Sequence, residues 1–175
     1  MELFHGTIQT FAERIKAEGI DVTINKGVEL DFGMGFYFSD RETATRLALK
    51  KSEDMIIRDD LNVTPVLLSL DVDLESLRGM KSIRFSRKDR QWFEFVFDTR
   101  RMLTENEYDF IEGPMADGGV DTIVGFYANH PNIFAKILVW VNFMWINGYG
   151  RTQYIVKTPE AASHVITGEI TEVKL

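Results

Sequence analysis

No cysteine occurs in the 175 residues, which excludes disulfides, thiolate nucleophiles and thiolate metal sites. Positive charge is in short supply: 20 Lys and Arg stand against 27 Asp and Glu, a net charge of −7. That balance argues against a large nucleic-acid footprint, because phosphate contacts need clustered cations. Long apolar runs are missing too. The longest, Ile133 to Ile146, is interrupted by Lys136 and Asn142 and is too short to span a bilayer. The opening Met1-Glu2-Leu3-Phe4-His5-Gly6 has neither a basic nor an apolar leader segment. A cytoplasmic protein with no membrane partner is therefore expected. No linker, repeat or low-complexity tract divides the chain, and its length suits one domain over 1–175. What is present, 45% apolar and 27% charged residues, is enough to bury a core without covalent staples.

The stretch Asp31-Phe32-Gly33-Met34-Gly35-Phe36-Tyr37-Phe38-Ser39-Asp40 is the most structured piece of the sequence. Gly33 to Gly35 reads as a tight turn, because glycine tolerates positive φ and close approach. Phe36-Tyr37-Phe38 has strong β character, with Phe36 and Phe38 on one face and Tyr37 on the other. Ser39, with Glu42 three residues on, predicts a capping box and a helix start. A turn, a short strand and a helix mouth this close together suit a pocket wall. From physics alone a buried aromatic strand behind a loop is the favoured reading, because aromatic strands are usually core.

Around that stretch the pattern is α+β with mostly short strands. Met1 to Phe4 predicts a first strand ending at His5-Gly6-Thr7, with Thr7 capping a helix along Ile8, Phe11 and Ile15 up to Gly19. A second helix follows from Asp40 to Lys51, and Pro65 to Val72 is a strand. Asp73 to Met80 holds a helical turn. Ser86 caps a helix through Met102 whose wide apolar face, Trp92, Phe93, Phe95, Val96 and Phe97, reads as core before it reads as a cofactor box. The nearby Arg84, Arg87, Lys88, Arg90, Arg100 and Arg101 read as a solvated charged rim.

Tyr108 to Glu112 predicts a strand leading into the turn-rich Gly113-Pro114-Met115-Ala116-Asp117-Gly118-Gly119. Val120 to Ala128 and Ile133 to Trp145 predict helices, and Tyr149 to Val156 a strand carrying Gln153. Thr158-Pro159-Glu160 opens a helix with threonine at the N-cap and proline at N1. Gly168 ends that helix before a last strand, Glu169 to Val173.

His5-Gly6, Gly33-Met34-Gly35-Phe36-Tyr37-Phe38 and Gln153-Tyr154-Ile155-Val156 together resemble the ADP-ribosyltransferase fold of the diphtheria-toxin and poly(ADP-ribose) polymerase type. That clade carries His, Tyr and Glu on three strands, and Gln153 stands at the Glu position. The chain is also similar, along nearly its whole length, to a family of small bacterial and phage proteins catalogued as a domain of unknown function. The shared segments are His5-Gly6-Thr7, Asp31 to Tyr37, Trp92 to Val96, Tyr108 to Asp117 and Gln153 to Ala161.

The resemblance implies a single ADP-ribosyltransferase-like domain of two small packed antiparallel sheets with flanking helices. It implies a mono-ADP-ribosyltransferase, a glycosyltransferase using NAD as co-substrate and no metal. The acceptor would be a macromolecule, protein or nucleic acid. Toxin–antitoxin or phage-defence work would make an antitoxin protein a further partner. His5, Tyr37, Gln153 and Asp117 are the implied catalytic residues. His5, Gly6, Thr7, Phe32, Gly35, Phe36, Tyr37 and Gln153 are the implied NAD-binding set, with Asp31 at the pocket edge. Within it, Gly6 would offer its backbone to the nicotinamide carboxamide, Tyr37 would stack on the ring, and His5 would bond a ribose hydroxyl. Gln153 brings no negative charge to an oxocarbenium-like state, so Asp117, or else Glu112, is the candidate for the missing carboxylate. Two other classes stay open: a module that binds NAD or ADP-ribose without turnover, and an interaction protein with a relic pocket.

Overall fold

The computed structural model describes residues 1–25, 30–59, 63–100, 107–116 and 151–174. Seven strands form one sheet: β1 (Glu2–Ile8), β2 (Phe36–Ser39), β3 (Pro65–Val72), β4 (Ser82–Arg84), β5 (Phe110–Pro114), β6 (Thr152–Val156) and β7 (Val165–Glu172). Their order is β4-β5-β6-β2-β1-β3-β7. The α+β class follows directly, but the strands do not separate into two packed sheets. A three-strand half, β1-β3-β7, joins a four-strand half, β4-β5-β6-β2, through the single pair Phe4↔Ser39. One pairing, β4 with β5, is parallel. Parallel neighbours need a crossover, and α4 (Arg90–Arg100) lies in that connection.

Helices cover both faces. On the first face, Leu3, Phe36, Phe38, Val66, Leu68, Leu70, Phe110 and Val156 pack with Ala12 of α1 (Gln9–Glu18), Leu77 of α3 (Leu74–Gly79) and Ala161 of α5 (Pro159–Ala162). On the second, Ile111 and Ile155 meet Trp92, Phe93, Val96 and Phe97 of α4, with Phe32 and Phe85 between them. Phe4 and Leu67 meet Ala44 of α2 (Arg41–Asp59) on that same side. The alternation in Phe36-Tyr37-Phe38 sorts its rings as the sequence predicts: the two phenylalanines join the first core and Tyr37 the second. The aromatic face of α4 is core.

Several boundaries move for identifiable reasons. His5, Gly6 and Thr7 lie inside β1, whose pairing with β3 runs unbroken from Glu2↔Asp71 to Ile8↔Pro65. Thr7 is thus held in the ladder and does not cap α1, which starts after Ile8 with no side-chain cap. Ser39 is likewise committed to β2, opposite Gln153. Asp40 caps α2 instead, accepting from Thr43 N at 2.9 Å and Thr43 Oγ1 at 2.8 Å. Asp89, not Ser86, caps α4 through Trp92 N at 3.0 Å. The helix α2 continues past Lys51 to Asp59.

Thr158 does cap α5, with Pro159 in its first turn. That helix ends at Ala162, and Gly168 sits within β7. A Cβ there would lie 2.5 Å from Ser69 Oγ, at the register shift between Leu68 and Leu70. Gly168 therefore marks a bulge and not a helix stop. The helices expected over 120–128 and 133–145 lie outside the described residues, as does Asp117.

Gly6 fixes how close α2 comes to the sheet. A Cβ at this position would stand 1.9 Å from the Ala44 carbonyl oxygen and 3.0 Å from Ala48 N. Backbone cannot yield as a flexible side chain does, so Gly6→Ala should destabilise the fold by about 3 kcal/mol or more. Gly79→Ala, where a Cβ meets nothing within 4 Å, should be nearly neutral. Urea unfolding of both variants checks the contrast.

Candidate functional site

Asp31 precedes the Gly33–Gly35 turn and is buried, at 5% exposure. Its Oδ1 accepts from Arg100 Nε at 2.8 Å and Arg100 Nη2 at 2.5 Å. Its Oδ2 accepts from Ala116 N at 2.7 Å and Gln153 Nε2 at 2.8 Å. A buried carboxylate needs partners of this kind to offset its desolvation. Because the amide nitrogen of Gln153 is spent on Asp31, the orientation of that side chain is fixed. Its Oε1 is left without a hydrogen bond among the described residues.

Tyr37 stands on the same face. Its hydroxyl donates to Gly33 O at 2.6 Å and accepts from Phe32 N at 3.2 Å. Burial, with the charge of Asp31 second, pushes its phenol far above the usual range, so it stays protonated and acts as a strut. Gly33 at φ 81° and Gly35 at φ 156° permit the turn. Asn25 closes it from outside, donating through Nδ2 to Gly35 O at 2.8 Å and accepting from Gly35 N at 3.0 Å.

The junction of the two half-sheets is where main-chain groups come free. Met1 O accepts from Val72 N, and Gln9 N donates to Thr64 O, each at 2.9 Å. Odd-numbered residues of β1 therefore turn their amides and carbonyls toward β3. Alternation turns those of Phe4 and Gly6 toward β2. Phe4 finds Ser39 there, and continuing the same register would set Gly6 opposite Tyr37. The pairing stops before that point.

The Tyr37 carbonyl accepts from His5 Nδ1 at 2.7 Å instead. An imidazole thus replaces the ladder bond, and the Gly6 N–H and C=O point toward β2 without a ladder partner. His5 stacks on Phe36 with ring centroids 4.5 Å apart. Burial lowers its pKa to about 4, against a smaller raising effect of the Tyr37 bond; the charge of Lys51 adds to the lowering. At neutral pH it is the uncharged tautomer with Nδ1–H donating and Nε2 an acceptor.

The predicted residues thus form two groups joined at one bond. Tyr37, Phe32 and Gln153 gather around Asp31 on the second face. His5, Thr7 and Phe36 lie on the first, with the Gly6 backbone at the seam between them. Gly35 is held by Asn25. Glu112 belongs to neither group, since Arg78 Nη2 at 2.8 Å and Arg84 Nε at 3.1 Å neutralise it.

Two residues of the site are not read from the sequence: Arg100, grouped there with surface charge, and Lys51. The second bonds Thr7 Oγ1 at 3.2 Å, with its Nζ 4.8 Å from the Phe11 ring centroid. Only an isolated polar residue closing an apolar helix face could have singled out Arg100. No group of three or more metal-ligating side chains occurs among the described residues. None of their helices is long and apolar enough to cross a membrane.

Two outcomes follow from these charges. Asp31→Ala removes the buried carboxylate on which Arg100, Ala116 and Gln153 converge, and should cost about 3 kcal/mol in denaturant unfolding. His5 acts through linkage. In the unfolded chain it takes a proton as pH falls through its ordinary 6.5, whereas in the fold it stays neutral down to about 4. Its contribution to stability is complete above pH 6.5 and is lost as pH falls from there toward 4. His5→Gln should flatten that part of the stability–pH curve, and an NMR titration of the imidazole should show the low pKa directly.

No curated protein and no solved structure matches the chain. A family described as "Protein of unknown function (DUF3990)" matches residues 1–166, a span that takes in β1, the glycine turn, α4, β5 and β6. The chain belongs to the DUF3990 family.

Proposed function

We propose that this protein binds NAD at the seam between β1 and β2 and transfers ADP-ribose to a macromolecular acceptor. One observation carries the reading: the pairing stops after Phe4↔Ser39, and Gly6 turns an N–H and a C=O into the gap. A primary carboxamide has the complementary pair, a carbonyl to accept and an amino group to donate. The α2 backbone fills the space above Gly6, so the ligand would meet the N–H and C=O from the β2 side, in the plane of the sheet.

The electrostatics agree with a nicotinamide. In NAD the ring is cationic, and a protonated histidine beside it would oppose binding. His5 is neutral, and its Nε2 can accept from a ribose hydroxyl. In the reaction the C1′–N bond to nicotinamide breaks and its electron pair neutralises the pyridinium. A lone pair of the acceptor forms the new bond to C1′, and the acceptor's proton passes to solvent. Holding the ring and ribose rigidly while positive charge grows on the sugar is the protein's main contribution. Gln153, bound to Asp31 on the face opposite His5, steadies the glycine turn behind Tyr37 in this reading. The ring of Tyr37 supplies an aromatic wall for nicotinamide. In this reading Asp117 is the candidate for a carboxylate at the site.

One observation favours a second reading, binding without turnover. The carboxylate next to Gln153, that of Asp31, is already neutralised by Arg100, so no net negative charge stands there to stabilise the sugar cation. A toxin or defence role with an antitoxin partner is the biological setting the family resemblance favours.

Incubation with NAD labelled in the adenylate half and a cell lysate should label a macromolecule and release nicotinamide. His5→Ala should reduce both by about a hundredfold or more, on the scale of positioning losses. Tight NAD binding with no nicotinamide released would select the second reading. No binding and no release would exclude both.

A further inference from the structure

We infer that Lys51, with Thr7, is an anion-receiving site for a diphosphate-bearing ligand at the mouth of the β1–β2 opening. The inference rests on the proposed ligand site for its setting, but on separate residues for its chemistry. Lys51 projects from α2 and is half-buried. Its ammonium donates to the Thr7 hydroxyl at 3.2 Å and stands 4.8 Å from the Phe11 ring centroid. Both partners are neutral. No carboxylate lies within ion-pair range of it among the described residues, although acids outnumber bases in this chain 27 to 20.

Four arginines here are paired with acids. Arg78 and Arg84 share Glu112, while Arg100 meets Asp31 and Arg151 meets Glu42. Lys51, with a hydroxyl and a ring face, is a partly desolvated charge without a counter-ion among the described residues, and burial lowers its pKa. Such an arrangement costs stability unless an anion arrives. A flexible ammonium with three donors suits a phosphate oxygen as a point charge.

Position gives the anion its identity. Thr7 lies two residues beyond His5 on the same face of β1, and the charge of Lys51 is felt at the His5 imidazole. A ligand whose uncharged or cationic end sits on Gly6 and His5 would therefore carry its negative charge toward Lys51. A dinucleotide has that distribution, with a diphosphate next to the nicotinamide riboside. The cation–π contact with Phe11 keeps the ammonium at the opening when no anion is bound.

Calorimetric titrations of ADP, inorganic pyrophosphate and free nicotinamide into the wild-type protein, Lys51→Gln and Lys51→Arg test this. ADP should bind the wild type, and Lys51→Gln should weaken it by about tenfold or more, the loss of one charge-assisted hydrogen bond. Lys51→Arg should restore most of that affinity, and nicotinamide should bind all three proteins alike. Thermal unfolding of ligand-free Lys51→Gln should show no loss of stability, which separates a lost contact from a damaged fold. Wild-type protein that binds neither ADP nor pyrophosphate would overturn the inference, and so would ADP binding unchanged by Lys51→Gln. ADP binding that follows Lys51 while nicotinamide fails to bind would remove the Gly6 reading and leave the anion site standing.

Discussion

The carboxylate of Asp31 fastens together segments that are remote in sequence. From the loop before β2 it takes the guanidinium at the end of α4, the amide of Ala116 just past β5, and the side chain of Gln153 on β6. These contacts hold the glycine turn down onto the second face. The turn in turn receives the Tyr37 hydroxyl at Gly33 O and Phe32 N. With Tyr37 locked from its side-chain end, its carbonyl presents a fixed acceptor to His5. The buried charge is thus connected, through one aromatic strut, to the imidazole that ends the pairing of β1 with β2.

That sequence of dependencies explains why the sheet is continuous in order yet weakly joined at its centre. A seven-stranded sheet whose halves share one bridging pair has main-chain donors and acceptors left over at the junction. In most folds such groups would be paired, because leaving them dry costs free energy. Here the junction keeps close together a glycine backbone, a neutral imidazole and an ammonium whose described partners are a hydroxyl and a ring face. Each bears a different charge or hydrogen-bonding sense, which suits a ligand with a planar amide at one end and phosphate further along.

The sequence made the local features legible and the long-range ones obscure. The period-two split of Phe36, Tyr37 and Phe38, the strand Pro65–Val72 and the Thr158-Pro159 helix start all follow from nearest-neighbour chemistry, and the fold keeps them. The cap at Ser39 did not survive, because a residue cannot cap a helix while its backbone is bound in a ladder; Asp40, one residue later, was free to do so. Gly168 looked like a helix stop because a bulge against Ser69 has no local signature.

The candidate site divides in the same way. His5-Gly6 and Tyr37 were visible as motif residues, but their relationship is a register effect, one strand ceasing to pair with the next. Arg100 reads as surface charge until Asp31 is placed beside it, 69 positions away. Lys51 has no motif at all, since what distinguishes it is that no carboxylate among the described residues lies close to it. Gln153 reads as a ligand-facing side chain from the sequence; in the fold its amide nitrogen is committed to Asp31.

In the proposed reading the Gly6 backbone, without a ladder partner, is where the nicotinamide carboxamide docks. The most direct measurement is the amide resonance of Gly6 in isotope-labelled protein as NAD is added to saturation. The account predicts a downfield shift of that amide proton and slower exchange with solvent, reproduced by nicotinamide alone. A Gly6 resonance that stays put while NAD saturates the protein would contradict it.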